Sequence, residues 1–184
     1  FKPLKNLSLY ANYIESLASG GTAGSTALNA GEVLAPYVSK QKEIGAKYDA
    51  GNLGTSIALF TTSKPSGYLD SVTNIYGTYG EDRHRGLEIS VWGEAMRGLR
   101  VLGGLTLLDA EQRNTKGGAT DGKKVIGVPS AQGNLGVEWD IPGLSGVSAD
   151  VRMVSTGSSY ANAANTLKVP GWTRFDIGAR YITE

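Results

Sequence analysis

The chain has 184 residues, a net charge of +1 and no cysteine. That length allows one domain with a sizeable core, and the missing cysteines exclude a disulfide scaffold and cysteine-based zinc sites. Lys and Arg are scattered rather than striped, so the charge footprint of a nucleic-acid binder is absent. No apolar run approaches the roughly 20 residues a transmembrane helix needs.

Strand-length segments with a period of two follow in chain order. Leu7, Leu9, Ala11 and Tyr13 form the apolar set of a first strand, about Asn6 to Glu15. A long loop rich in Gly, Ser, Thr and Ala leads to a second strand, Lys40 to Asp49, where Ile44, Ala46 and Tyr48 alternate with Glu43, Lys47 and Asp49. Ala50 to Gly54 reads as a tight turn in which Gly and Asn supply positive φ. The third strand runs Thr55 to Ser63 and is expected to end at Pro65-Ser66-Gly67; Ser71 to Tyr79 has the propensity to extend a hairpin beyond. Arg83 to Glu94 is the fourth strand, Met96-Arg97-Gly98 a short turn, and Leu99 to Gln112 the fifth strand, with Leu102 and Leu108 out of phase. After a loop from Arg113 to Ser130 come Ala131 to Asp140, the Pro142-Gly143 turn, Gly146 to Thr156, a loop from Gly157 to Val169, and Trp172 to Thr183. Within that last loop, Ala161 to Leu167 is long enough for one turn of helix and no more.

This alternation gives an all-β, antiparallel up-and-down meander of about eight strands with one apolar and one polar face each. Short turns and long loops alternate strictly, which places all the loop length at one end. An outer-membrane barrel requires that arrangement and a soluble sandwich does not. Strands of ~10 residues match the length that crosses a bilayer at a tilt of about 45°. Tyr10, Tyr13, Tyr48, Trp92, Trp139 and Trp172 sit near strand ends and read as a girdle at the headgroup level. On the last strand Arg174, Asp176 and Arg180 alternate with Phe175, Ile177 and Tyr181; a one-residue slip would expose the charges to lipid, so the pattern fixes the register.

Chemistry-bearing residues are few. His84 is the single histidine, no nucleophile elbow or metal-ligand spacing accompanies it, and no phosphate loop or calcium loop is present. The chain therefore reads as no enzyme, with no catalytic residue, metal ligand or cofactor. The loop tyrosines Tyr37, Tyr68, Tyr76, Tyr79 and Tyr160 have flat faces able to stack on a ligand. The charge cluster Gly80 to Glu88 reads as a rim or lumen ion-pair network. Two further readings share the pattern: a complete eight-stranded barrel serving as anchor or adhesin, and a lipid-modifying barrel enzyme, which the unmarked nucleophile disfavours.

Several stretches resemble the barrel of TonB-dependent siderophore receptors of the ferrichrome-receptor type. They are Asn6 to Ser16 (NLSLYANYIES), Asn29 to Tyr37 (NAGEVLAPY), Ser39 to Asp49 (SKQKEIGAKYD), Gly80 to Ser90 (GEDRHRGLEIS), Gly127-Val128-Pro129, Asn134 to Asp140 (NLGVEWD) and Pro170 to Tyr181 (PGWTRFDIGARY). The ordered set carries the resemblance. It implies a 22-stranded transmembrane β-barrel in the bacterial outer membrane, of which residues 1–184 are a part, with the N-terminal plug domain and the final strands lying outside. It further implies ferric siderophore as transported ligand, outer-membrane lipid as surroundings and TonB as partner through the plug region. The expectation for the chain alone is self-association through its edge strands.

Overall fold

The computed structural model describes residues 1–70 and 72–183. Ten strands succeed one another: β1 (Leu7–Ala18), β2 (Tyr37–Asp49), β3 (Leu53–Leu69), β4 (Tyr76–Met96), β5 (Leu99–Arg113), β6 (Ala131–Asp140), β7 (Val147–Thr156), the two-residue pair β8 (Ser159–Tyr160) and β9 (Lys168–Val169), and β10 (Trp172–Tyr181). Eight form one antiparallel sheet in the order β1-β2-β3-β4-β5-β6-β7-β10, and β8 with β9 makes a small separate ribbon. The only helical element among the described residues is a single 3₁₀ turn at Lys116–Gly118. Among those residues no pairing joins β1 to β10, so the sheet is open. A closed eight-stranded barrel is thereby set aside.

Register makes the two faces continuous across strands. Ala11, Ile44, Leu59, Leu87 and Leu107 stand level with one another, and so do Leu9, Ala46, Ile57, Ile89 and Leu105. At the other side of the sheet Val101, Val137, Val151 and Ile177 are level. These residues share one face because alternate side chains of a strand point the same way. None of the described residues covers them: Ile177 is 85% exposed, Phe175 64% and Ile44 59%. Among the described residues the buried apolar ones are Ala23, Ala27, Ala58 and Ala110, and no large side chain is fully buried. A water-soluble domain would bury this face against a second layer; here the apolar face is bare.

The opposite face carries Ser8, Glu43, Lys47, Ser56, Glu88, Asn134, Arg152, Asp176 and Arg180. On it three rings lie flat over glycines of the neighbouring strand. A Cβ at Gly45 would stand 2.6 Å from the Tyr10 ring, at Gly54 2.5 Å from Trp92, and at Gly86 2.6 Å from Phe60. Tyr10 and Trp92 therefore belong to the polar face, not to the lipid-side girdle, and by register Trp172 falls on that same face, with Arg174. Tyr13, Tyr48 and Trp139 keep the girdle position on the apolar face. The out-of-phase Leu102 pairs with Trp92 and gives the inner wall an apolar spot.

Two boundaries differ from the sequence expectation. β3 passes through Pro65 and Gly67 and stays paired with β4 to Leu69↔Tyr76, with one register shift at Ser66/Gly67. Proline is tolerated because β2 last pairs β3 at Lys40↔Ser63; Pro65 sits on a free edge, where no ladder donor is required. The expected extension of the hairpin is present over Tyr76 to Tyr79, while Ser71 lies outside the described residues. In the β2–β3 turn Gly51 holds φ +90, but Asn52 is not left-handed. It ties the next turn instead, its Nδ2 donating to the Glu94 carbonyl at 2.8 Å and its carbonyl accepting from the Glu94 amide at 2.7 Å.

Candidate functional site

The long connections meet at one end of the sheet. β3 and β4 rise beyond β2 as a two-stranded ribbon whose tip is organised by Asp70. Its carboxylate accepts from the Val72 amide at 2.9 Å, from Thr73 Oγ1 at 2.6 Å and from the Lys116 ammonium of the β5–β6 loop. Asp70 is 3% exposed. The Lys116 ammonium, the Thr73 hydroxyl and the Val72 amide together hold its carboxyl well below the usual carboxylate range, and Asp70 in turn raises Lys116. Both effects favour the ionised forms, as hydrogen-bonded opposite charges do.

Lys116 also joins two tyrosines. Its amide donates to Tyr68 Oη at 2.5 Å, its ammonium lies 5.5 Å from the centre of the Tyr79 ring, and Tyr68 meets Tyr79 edge-on at 5.6 Å. Within the same loop Asp121 accepts from the Thr115 hydroxyl and amide at 2.7 and 2.8 Å, which lowers its pKa. Between ribbon and loop opens a cleft of about 810 Å³ lined by Tyr68, Leu69, Val72, Val125, Ile126 and Ala163, with Asp82 and Gln112 at its base. Gln112 Nε2 donates to the carbonyls of Lys124 and Ala163 at 3.0 and 3.1 Å. The lining is mostly apolar, with a few placed polar groups, as in sites for small ligands.

Each long connection is tied to the next. Asn29 of the β1–β2 loop pairs both ways with the Tyr76 backbone at 2.9 Å. Asn165 of the β7–β10 loop does the same with Lys124, at 2.5 and 3.0 Å. The loops thus form one hydrogen-bonded crust rather than separate flaps.

Of the five loop tyrosines, the structure brings Tyr68 and Tyr79 together. Tyr68 lines the cleft directly and Tyr79 packs behind it. Tyr37 is apart, on the inner wall, with Lys64 6.0 Å from its ring centre. Tyr76 packs against Gly21 and Gly67, and the Tyr160 carbonyl accepts from Gly127 in the small ribbon. Sequence reasoning missed Asp70, Lys116 and Gln112. Asp70 had a local signal, a turn-forming Asp ahead of Thr73 and Asn74; Lys116 and Gln112 had none, since their partners are distant in sequence. His84 stands on the inner face between Thr62 and Ala110, and no group of three His, Asp or Glu among the described residues converges on a possible metal position.

The Gly80 to Glu88 cluster divides by face. Arg83 and Arg85 point outward and meet Glu111 at 3.1 and 3.8 Å; Asp82, His84 and Glu88 point inward. At the short-turn end the inner wall carries its own network, in which Arg100 grips Asp140 at 2.5 Å and Glu138 at 2.7 Å, and Arg180 shares Glu138 at 2.6 Å.

The sequence model of the family described as TonB dependent receptor-like, beta-barrel, matches residues 1–183. The chain belongs to the TonB-dependent receptor β-barrel family. Among curated relatives, the ferrichrome receptor FcuA of Yersinia enterocolitica is 44% identical over 185 residues, covering 98% of this chain and 24% of that protein. The crystal structure of BauA, the ferric preacinetobactin receptor of Acinetobacter baumannii, superposes with a TM-score of 0.84 at 41% identity over 100% of this chain and 28% of BauA. The siderophore receptor PiuA of the same organism gives a TM-score of 0.82 at 27% identity, over 100% of this chain and 28% of PiuA. The chain thus spans about a quarter of the length of these relatives. Membership of this TonB-dependent receptor family accounts for the bare apolar face: it meets the lipid of the bacterial outer membrane, and the polar face looks into the barrel. The family is one of receptors and transporters rather than enzymes.

Proposed function

We propose that residues 1–184 form part of the wall and outer mouth of a receptor for TonB-dependent uptake of ferric siderophores. The observation that carries this is the 44% identity to a ferrichrome receptor across 98% of the chain. The remaining barrel strands and a plug domain, through which TonB acts, complete the receptor. Iron arrives already chelated, so the protein needs no metal ligand and no cofactor. Binding takes place without covalent chemistry at the outer loops and plug apex, and plug rearrangement follows.

The cleft between the β3–β4 ribbon and the β5–β6 loop is the part of this wall suited to touch the chelate. Tyr68 offers its ring, Lys116 and Asp70 hold that ring in place, and Tyr79 backs it. Tyr37 on the inner wall is the second contact candidate. Tyr76 and Tyr160 hold loops together.

Uptake of radioactive iron as ferrichrome by an iron-limited strain carrying the full-length receptor tests the reading. Deleting the β3–β6 segment should abolish uptake. Tyr68→Ala should weaken chelate binding by about 5- to 30-fold, the loss of roughly 1–2 kcal/mol of aromatic contact, with the barrel still assembled. Unchanged uptake in both variants would exclude the cleft. Absence of uptake of any iron chelate by the wild-type receptor would exclude the function.

A further inference from the structure

Charge is unevenly settled inside the cleft between ribbon and loop. Of the residues lining it, three are charged: Asp70, Lys116 and Asp82. Asp70 and Lys116 neutralise one another. Asp82 is left over, half-buried at the base of a mostly apolar cavity. It stands beyond the lipid belt, because the outward apolar rows end at Leu87, with Arg85 and Arg83 following.

No neighbour completes it. Lys64 is opposite Asp82 across the β3–β4 ladder. Its ammonium lies 6.0 Å from the centre of the Tyr37 ring of β2, and among the described residues it makes no ion pair with Asp82. On the other side Gln112 of β5 is opposite. Both hydrogens of its amide are committed to the Lys124 and Ala163 carbonyls, so it has none to give. His84 is the next inward residue of β4, and Ser66 borders the cleft. Burial nevertheless pushes the Asp82 carboxyl up from its ordinary value, against the opposing influence of His84, Ser66 and Lys64. The charge is under-compensated where it sits.

A carboxylate held in this way discriminates between incoming groups. When ionised it accepts hydrogen bonds and donates none. A cationic group entering the cleft restores partners that the carboxylate lost on leaving water. An anionic group meets like charge against an apolar wall, where screening is weak. Tyr68 and Val72 supply contact area without preferring either sign.

We propose, on the reading that this cleft touches the chelate, that Asp82 is its specificity-determining residue. It accepts an ammonium at the edge of a ferric chelate and so ranks chelates by charge, cationic above neutral and neutral above anionic. The Tyr68 ring holds a chelate of any charge, and Asp82 sorts them by attraction on one side and repulsion on the other.

The test measures binding to the full-length receptor in detergent by fluorescence titration. The probes are ferrioxamine B, a tris-hydroxamate complex with a free ammonium tail; its N-acetylated form, the same complex without that charge; neutral ferrichrome; and strongly anionic ferric enterobactin. The wild type should bind ferrioxamine B about tenfold more tightly than the acetylated form, the lower end for a hydrogen bond to a charged group, and ferric enterobactin least. Asp82→Asn should bring the two ferrioxamines within about twofold of each other and leave ferrichrome binding intact; Asp82→Glu should keep the preference. Should Asp82→Asn fail to assemble, the wild-type ratio of the two ferrioxamines decides, and it should narrow as salt rises. Equal binding of the two by the wild type, a preference that Asp82→Asn leaves in place, failure to bind either, or tightest binding of ferric enterobactin overturns the proposal. If ferrichrome binding still falls in Tyr68→Ala, the cleft keeps its role and only the charge ranking is lost; if no chelate binds, both are lost.

Discussion

Glycine and its ring partners show how single positions shape this wall. Gly54 leaves room for the Trp92 indole to lie flat across the strand, and Gly45 does the same for Tyr10. Gly54→Val would place its side chain inside the indole's volume. We expect a loss of ~1–3 kcal/mol, as for other overpacked sites. Thermal unfolding in detergent gives the cost, and a red-shifted Trp92 emission reports the displaced ring; an unmoved midpoint and spectrum would contradict the contact.

Asp70 supplies a pH test at the same scale. Its folded-state pKa is depressed, so its contribution is complete above the unfolded carboxylate value of about 3.9 and is lost as pH falls through the depressed value. Lys116 has a raised pKa; its contribution is complete below about 10.4 and fades as pH rises through the raised value. The ribbon–loop contact should therefore contribute in full from about pH 4 to pH 10 and weaken progressively beyond either end, as Asp70 or Lys116 approaches its shifted folded-state value. Hydrogen exchange at Val72 and Asn74 follows it: their protection should persist at pH 4, and Asp70→Asn should remove it at neutral pH. Loss of protection already near pH 5 would contradict the depressed Asp70.

At the scale of elements, strand periodicity was legible because lipid and lumen impose opposite demands on alternate residues. β6 has the bounds its alternation predicts, Ala131–Asp140. β10 keeps the predicted face assignment, with Ile177 bare on one side and Arg174 bonded to Asp176 on the other. Ile177→Arg should destabilise by ~2–4 kcal/mol when the barrel folds into phosphocholine vesicles. Asp176→Ala removes only an exposed pair and should cost under ~1 kcal/mol. Equal costs would dissolve the distinction between the faces. The end of β3 was misread because Pro65 and Gly67 are breakers by local rules. Whether a breaker breaks depends on which side of the strand has a neighbour, and that is a property of the sheet.

For the whole molecule, β1 and β10 are edges and one broad face is apolar. Both conditions favour association. Expressed alone and refolded without detergent, residues 1–184 should sediment as oligomers or aggregate, and detergent should reduce the mass. A monodisperse, water-soluble monomer in analytical ultracentrifugation would contradict the lipid-facing assignment. In a complete barrel both edges are paired and this behaviour should vanish.

The sequence by itself determined the strands, their order, the two faces and the end at which the loops gather, because each follows from spacing along one chain. It also held the ordered stretches that place the chain in its family. The tertiary structure alone decided which aromatics face inward, since Tyr10 and Trp92 are sorted by glycines on neighbouring strands. It alone joined Asp70 to Lys116 and set Arg83 and Arg85 against Glu111. Those contacts link residues far apart in sequence, and only strand register and loop path bring them within hydrogen-bonding or ion-pairing range.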